Sequence, residues 1–117
     1  MAITRLHAGP RMSQAVVHGS TIYLAGQVAD QAKGKRVTDQ TKEILATIDR
    51  LLSEVGSDKT KILSTTIYLA DIGTFAEMNA VWDAWVPAGH APARATVEAK
   101  LAAPPYTVEI ACIAAKS

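Results

Sequence analysis

The run Val108-Glu109-Ile110-Ala111-Cys112-Ile113-Ala114 carries a single charged side chain in an otherwise apolar, strand-like segment. Successive residues of a strand face opposite sides of a sheet, so this segment sends apolar groups to both sides. Both faces therefore need cover. Two helical stripes supply it on one side. From about residue 38, Ile44, Leu45, Ile48, Leu51, Leu52 and Val55 recur one, three or four apart, and Gly56 is placed to end that helix. Thr74-Phe75-Ala76-Glu77 has the spacing of a capping box, and Phe75, Met78, Val81, Trp82 and Trp85 give a second helix its apolar face up to Pro87. Short apolar runs at 15–18 and 21–26, joined by Gly19-Ser20, predict a hairpin. Further strands are expected at 61–69, 94–100 and 107–114. The order is then ββαβαββ and the class α+β, one mixed sheet with both helices on one face. Ala111 and Ile113, beside Glu109, are left on the other face, and an apolar sheet face of that size usually meets another subunit.

At 117 residues the chain is expected to be one domain, 1–117, large enough for a core and small enough that partner subunits matter. Twelve basic and eleven acidic side chains leave a formal net charge of +1 with no long block of either sign, so bulk charge recruits neither nucleic acid nor anionic lipid. The one basic cluster, Lys33-Gly34-Lys35-Arg36, has a glycine in its middle and predicts a solvated turn. Cys112 is the single cysteine, and its apolar neighbours predict a buried thiol in a reducing compartment. Neither the apolar run of a signal peptide nor a membrane-spanning stretch is found, which makes a soluble, cytoplasmic protein the expectation. His7, His18 and His90 lack metal-ligand spacing, the serines lack the glycines of a nucleophile elbow, and Gly26 stands alone rather than in a phosphate-binding loop. Trp82 and Trp85 are three apart on a helical stripe, as core or interface aromatics are.

Arg94, in Pro92-Ala93-Arg94-Ala95-Thr96-Val97-Glu98, is the strongest functional candidate. On an extended segment Arg94, Thr96 and Glu98 share one side, while Ala95, Val97 and Ala99 share the other. A guanidinium on a rigid strand presents donors in a fixed fork that matches a carboxylate and stays charged at any working pH. It needs an acidic partner or an anionic ligand. The strands carrying Arg94 and Glu109 are expected to be neighbours, and periodicity alone favours a cross-strand ion pair at a sheet edge.

Four segments together resemble a known family: Ser13-Gln14-Ala15-Val16 leading to Tyr23-Leu24-Ala25-Gly26-Gln27, then Phe75-Ala76-Glu77-Met78-Asn79-Ala80-Val81-Trp82, Pro92 through Glu98, and Val108-Glu109-Ile110-Ala111. Their order and spacing are similar to those of the Rid family of small enamine/imine deaminases, also described under the names YjgF, YER057c and UK114. The resemblance implies a single mixed six-stranded sheet with two helices packed on one face, the chorismate-mutase-like fold. It also implies a homotrimer around a central barrel, with clefts between subunits. The implied activity is hydrolysis of reactive 2-imino acids and their enamine tautomers to 2-oxo acids and ammonia, without cofactor or metal. Arg94 would bind the substrate carboxylate and Glu109 would hold the water and shuttle protons. Backbone groups around Gly26 and Thr96 would complete the pocket. Asn79 would either contact the site across the interface or be an exposed helix amide. Three positions depart from the best-known members. Thr96 stands where a cysteine is often found, which excludes a thiol nucleophile there; Ala25 replaces a serine; Arg11-Met12-Ser13 replaces a covering tyrosine. A more apolar pocket is expected to shift preference away from the smallest imines. Some members are described as ligand-binding, chaperone-like or RNA-cleaving, so the alternative is a module that binds a small carboxylate without turning it over. Arg94 serves both, whereas only the enzyme needs Glu109.

Overall fold

The computed structural model describes residues 2–116. Six strands form one sheet: β1 (Ile3–Leu6), β2 (Ala15–His18), β3 (Thr21–Leu24), β4 (Ile62–Leu69), β5 (Ala93–Glu98) and β6 (Val108–Ala115). Helix α1 (Val37–Glu54) joins β3 to β4, and helix α2 (Phe75–Trp85) joins β4 to β5. The spatial order is β1-β2-β3-β6-β4-β5, with β4 and β5 parallel and every other neighbouring pair antiparallel. The C-terminal strand thus enters the middle of the sheet.

Alternation sorts the two faces. On β6, Val108, Ile110, Cys112 and Ala114 are buried while Glu109, Ala111, Ile113 and Ala115 are not. Partners in register share a face, so Ile22, Leu24, Ile67 and Leu69 join the buried set. That set packs against α1, where Ile44, Leu45, Ile48, Leu51 and Leu52 are each at most 1% exposed. Each such side chain contributes roughly 1.5–3 kcal/mol relative to leaving it in water. Met78 and Trp82 bring α2 into the same core. The hairpin turns at Gly19, with φ 62°, and α1 ends where Gly56, with φ 76°, reverses the chain. The opposite face is open. Tyr23 and Ile113 lie paired on it, 46% and 37% exposed, with Val97 and Ile3 also uncovered. Among the described residues no helix is long and apolar enough to cross a membrane.

Three sequence expectations need correction. Strand β1 was absent from the predicted order, because Ile3, Thr4 and Arg5 are all exposed and give no alternation in burial to detect. Strands β5 and β6 are not neighbours, since β4 runs between them. The capping box does not form. Thr74 makes no side-chain cap, and its hydroxyl donates to the Asp71 carbonyl instead. Glu77 reaches across to the other helix, where Thr38 donates to Oε2 from its backbone N–H (3.1 Å) and its hydroxyl (2.8 Å). Arg36 Nε lies 3.4 Å from the same oxygen. Glu77 therefore satisfies a free donor in the first turn of α1 and fastens the helix pair together.

Those Thr38 hydrogen bonds, followed by Arg36, hold the Glu77 carboxyl below its ordinary value of 4.5. A depressed carboxylate stabilises the fold above its unfolded pKa and loses that contribution as pH falls through the folded value. The thermal midpoint of Glu77→Ala should therefore trail the parent at neutral pH and converge with it as the pH is taken well below 4.5. A gap of constant size across that range would show that the carboxylate charge is not the source.

Candidate active site

Arg94 projects from β5 toward the helices. Its strand partner Thr65 is also paired with Cys112, and both belong to the covered face. Three residues of α2 receive the guanidinium: Phe75, Asn79 and Trp82, spaced to form one stripe of the helix. Arg94 Nη1 donates to Asn79 Oδ1 at 2.8 Å, and the guanidinium carbon lies 5.3 Å from the Trp82 ring centre and 5.8 Å from that of Phe75. Such cation–ring contacts contribute about 0.5–2 kcal/mol each and fix the plane of the fork. Among the described residues no carboxylate pairs with Arg94. The expected edge ion pair with Glu109 is absent. Asn79 is a half-buried acceptor for Arg94 within the same protomer, not an exposed amide. The aromatic pair around Arg94 was missed as a functional feature, because the same spacing also describes an ordinary apolar stripe.

Thr96 and Glu98 follow Arg94 on the covered side, paired to Ile67 and Leu69. The Thr96 hydroxyl is buried and has no hydrogen-bond partner among the described residues. Glu98 accepts from the Ile72 backbone N–H at 3.0 Å, tying the loop ahead of α2 to the sheet.

Glu109 is on the opposite, open face, half-buried, and no hydrogen bond or ion pair is made by its carboxylate among the described residues. Its side chain lies against Gly26. A methyl group built there would meet Glu109 Oε2 and stand 2.9 Å from Cδ, so the glycine is required by close approach and not by its own backbone angles. Gly26 and Glu109 are thus brought together, and Arg94 and Asn79 are brought together. The two pairs occupy different faces of the sheet with β4 between their strands.

The remaining candidates are placed elsewhere. Cys112 is 2% exposed and points away from Glu109; burial pushes its thiol up to about 11, against a weaker contact with Thr65 Oγ1 at 3.4 Å. It stays protonated and unreactive at neutral pH. Trp85 is not purely core: Nε1 donates to Asp49 at 2.9 Å, and Lys59 lies over its ring while donating to its carbonyl oxygen at 2.8 Å. That end of α2 borders a groove of about 540 Å³ against α1, which neither Arg94 nor Glu109 lines. His7 bonds to Glu54 at 3.1 Å on the surface.

Gly26→Ala separates the close approach from the fold. Only the end of a flexible side chain must move, and a shorter list of unfolded conformations offsets the crowding, so stability should change by less than about 1 kcal/mol. The Glu109 carboxyl resonance should shift clearly. A large loss of stability with an unmoved carboxyl signal would mean that the backbone, not Glu109, is what requires the glycine.

The chain matches the family described as Endoribonuclease L-PSP over residues 2–116. It is 47% identical over 115 residues to the RutC family protein YoaB of Escherichia coli, covering 98% of this chain and 99% of that protein. A crystal structure of a YjgF family member from Neisseria meningitidis superposes with a TM-score of 0.96 at 49% identity, covering 100% of this chain and 97% of the other. A more distant relative is the rat protein named 2-iminobutanoate/2-iminopropanoate deaminase, 33% identical over 107 residues, or 87% of this chain and 77% of that one. The four segments, the six-stranded sheet with two helices on one face, and these matches agree: the chain belongs to the Rid family, which includes the RutC and YjgF family proteins.

Proposed function

We propose that the protein is a cytoplasmic hydrolase of small 2-imino acids and their enamine tautomers, releasing 2-oxo acids and ammonia. One observation carries this: Arg94 is held rigidly by Phe75, Asn79 and Trp82 with the remainder of its fork unmatched by any acid among the described residues. A cation so placed lacks its anion. The unpaired Glu109 on the other face supplies the proton acceptor that a simple carboxylate-binding module does not need. The name of the rat relative, a deaminase of 2-imino acids, supports the same substrate class.

Arg94 and Glu109 of one protomer are on opposite faces of the sheet, so a substrate of a few carbons cannot touch both. A second copy supplies the missing half. In the proposed homotrimer the open faces, with Tyr23, Val97 and Ile113 uncovered, pack inward. The edge strand β5 of one protomer then borders the Glu109 side of the next. The Arg94 fork binds the carboxylate and fixes the imine carbon within reach of water. Glu109 takes a proton from that water as the oxygen–carbon bond forms, giving a carbinolamine. It returns that proton to the nitrogen, then takes the hydroxyl proton and passes it to the same nitrogen, and as the carbonyl forms the carbon–nitrogen bond breaks and ammonia leaves. Every atom is accounted for by the imine and one water. The family description names an endoribonuclease, yet a formal net charge of +1 provides little general attraction for a phosphate chain.

Light scattering at micromolar concentration should return the mass of a trimer. A monomer would leave the cleft with one wall and remove the intersubunit site.

Turnover is measured on imines generated in situ, with semicarbazide trapping what survives. Arg94→Ala should lose about 2–5 kcal/mol in kcat/KM, and Arg94→Lys should recover little because a point charge does not reproduce the fork. Glu109→Gln should lower kcat about a hundredfold while carboxylate binding persists. Wild-type efficiency in Arg94→Ala would refute the site, and a parent protein that binds 2-oxo acids but turns over no imine would be the binding module instead.

A further inference from the structure

We infer that Gln27 is a positioning residue for Glu109, acting through a bulge that its side chain fastens, and that Gln14 anchors the same bulge to the loop before β2. The inference rests on the proposed role of Glu109. Tyr23 pairs with Ile113, and Gln27 pairs with Ile110, so four steps along one strand match three along the other. One residue is therefore extra, and the ladder bulges between them at 24–26. Bulges re-aim what lies on them and leave backbone groups without ladder partners. Here the space opened at Gly26 is the space that the Glu109 carboxylate fills.

The bulge is held from two sides. On the β6 side, Gln27 N–H donates to the Ile110 carbonyl at 2.8 Å and Ile110 N–H returns a bond at 3.1 Å. On the β2 side, Ala25 N–H donates to the Gln14 carbonyl at 2.9 Å. The Gln27 side chain closes the loop between them. It is 7% exposed, and Nε2 donates to the Ala25 carbonyl at 3.1 Å and to Gln14 Oε1 at 2.9 Å, which uses both of its protons. Gly26 is thus bracketed by two fixed residues. Gln14 N–H in turn donates to the Leu6 carbonyl at 3.0 Å, at the far side of the loop that carries Met12. A buried amide spent on one carbonyl of an irregular turn and one neighbouring amide has no other evident task than to keep that turn in a single shape.

Gln27→Met keeps the volume and removes both side-chain bonds. Kinetics on in-situ imines should show kcat at least about tenfold lower with KM within about threefold, because the carboxylate clamp at Arg94 is untouched while the acid is misplaced. Gln14→Ala, which removes one of the two bonds, should show a smaller fall, and Gln14→Glu, which keeps an acceptor for Nε2, should retain more turnover than Gln14→Ala. The Gly26 amide and Glu109 carboxyl resonances of Gln27→Met, recorded without substrate, should move from their parental positions. A folded Gln27→Met with parental kcat, or with a raised KM and unchanged kcat, overturns the inference. If Gln27→Met does not fold, Gln14→Ala carries the same two readouts. If the parent turns over no imine, the proposed function fails by itself, and the resonances decide Gln27: unmoved signals overturn its positioning role, moved ones sustain it.

Discussion

A sheet with helices on one side only must still dispose of its other face, and the rest of the molecule follows from how β6 meets that demand. The strand is paired along both edges, to β3 and to β4, and sends apolar side chains both ways. On the covered side, Val108, Ile110, Cys112 and Ala114 pack beneath the helices. On the open side, Ala111 and Ile113 lie next to Tyr23 and Thr66, on the face of the sheet that neither helix covers. An unpaired carboxylate is tolerable there only near the end of the strand, where a bulge and a glycine leave it room. Glu109 sits at that place.

Most of the fold was legible because its strong elements are periodic. The stripe of α1 and the alternation of β6 each depend on packing against one layer, and packing of that kind writes itself into the sequence at the period of the element. The hairpin turn at Gly19 and the helix stop at Gly56 were legible for a local reason, since both require a left-handed backbone. What escaped was decided between elements. Strand β1 has no face buried enough to impose a pattern. Glu77 satisfied the spacing of a local cap and was recruited by Thr38 of the other helix, where two donors converge on one oxygen. The insertion of β6 beside β4 is a matter of topology, and no spacing between Arg94 and Glu109 reveals it.

The candidate site divides in the same way. The residue types were visible, because a fork-shaped cation and a lone acid in greasy segments are costly unless used. Gly26 was expected to line the pocket through its backbone, and the neighbour that its missing side chain accommodates is Glu109. The surroundings were not visible. Phe75 and Trp82 were assigned to an apolar stripe, and only the crossing of α2 over β5 turns them into walls for a guanidinium. Gln14 and Gln27 belong to matched segments, yet their mutual hydrogen bond depends on a bulge that binary patterning does not encode.

Placing the two charged groups on opposite faces has a chemical advantage for the proposed reaction. An arginine and a glutamate on adjacent strands with their side chains on one face would pair with each other, and a substrate carboxylate would have to displace that bond before binding. Here, among the described residues, each is presented without an oppositely charged partner. The cation is steadied by a neutral amide and two aromatic rings, which orient it without consuming the charge that the ligand needs. The acid packs against a glycine, and among the described residues no donor occupies its oxygens. In the proposed trimer, assembly of copies would bring together groups that folding keeps apart, and the proposed imino acid substrate, anionic at one end and electrophilic at the other, would satisfy both. A ligand with a carboxylate alone would satisfy Arg94 and leave Glu109 idle, which is why the acid decides between a catalyst and a receptor.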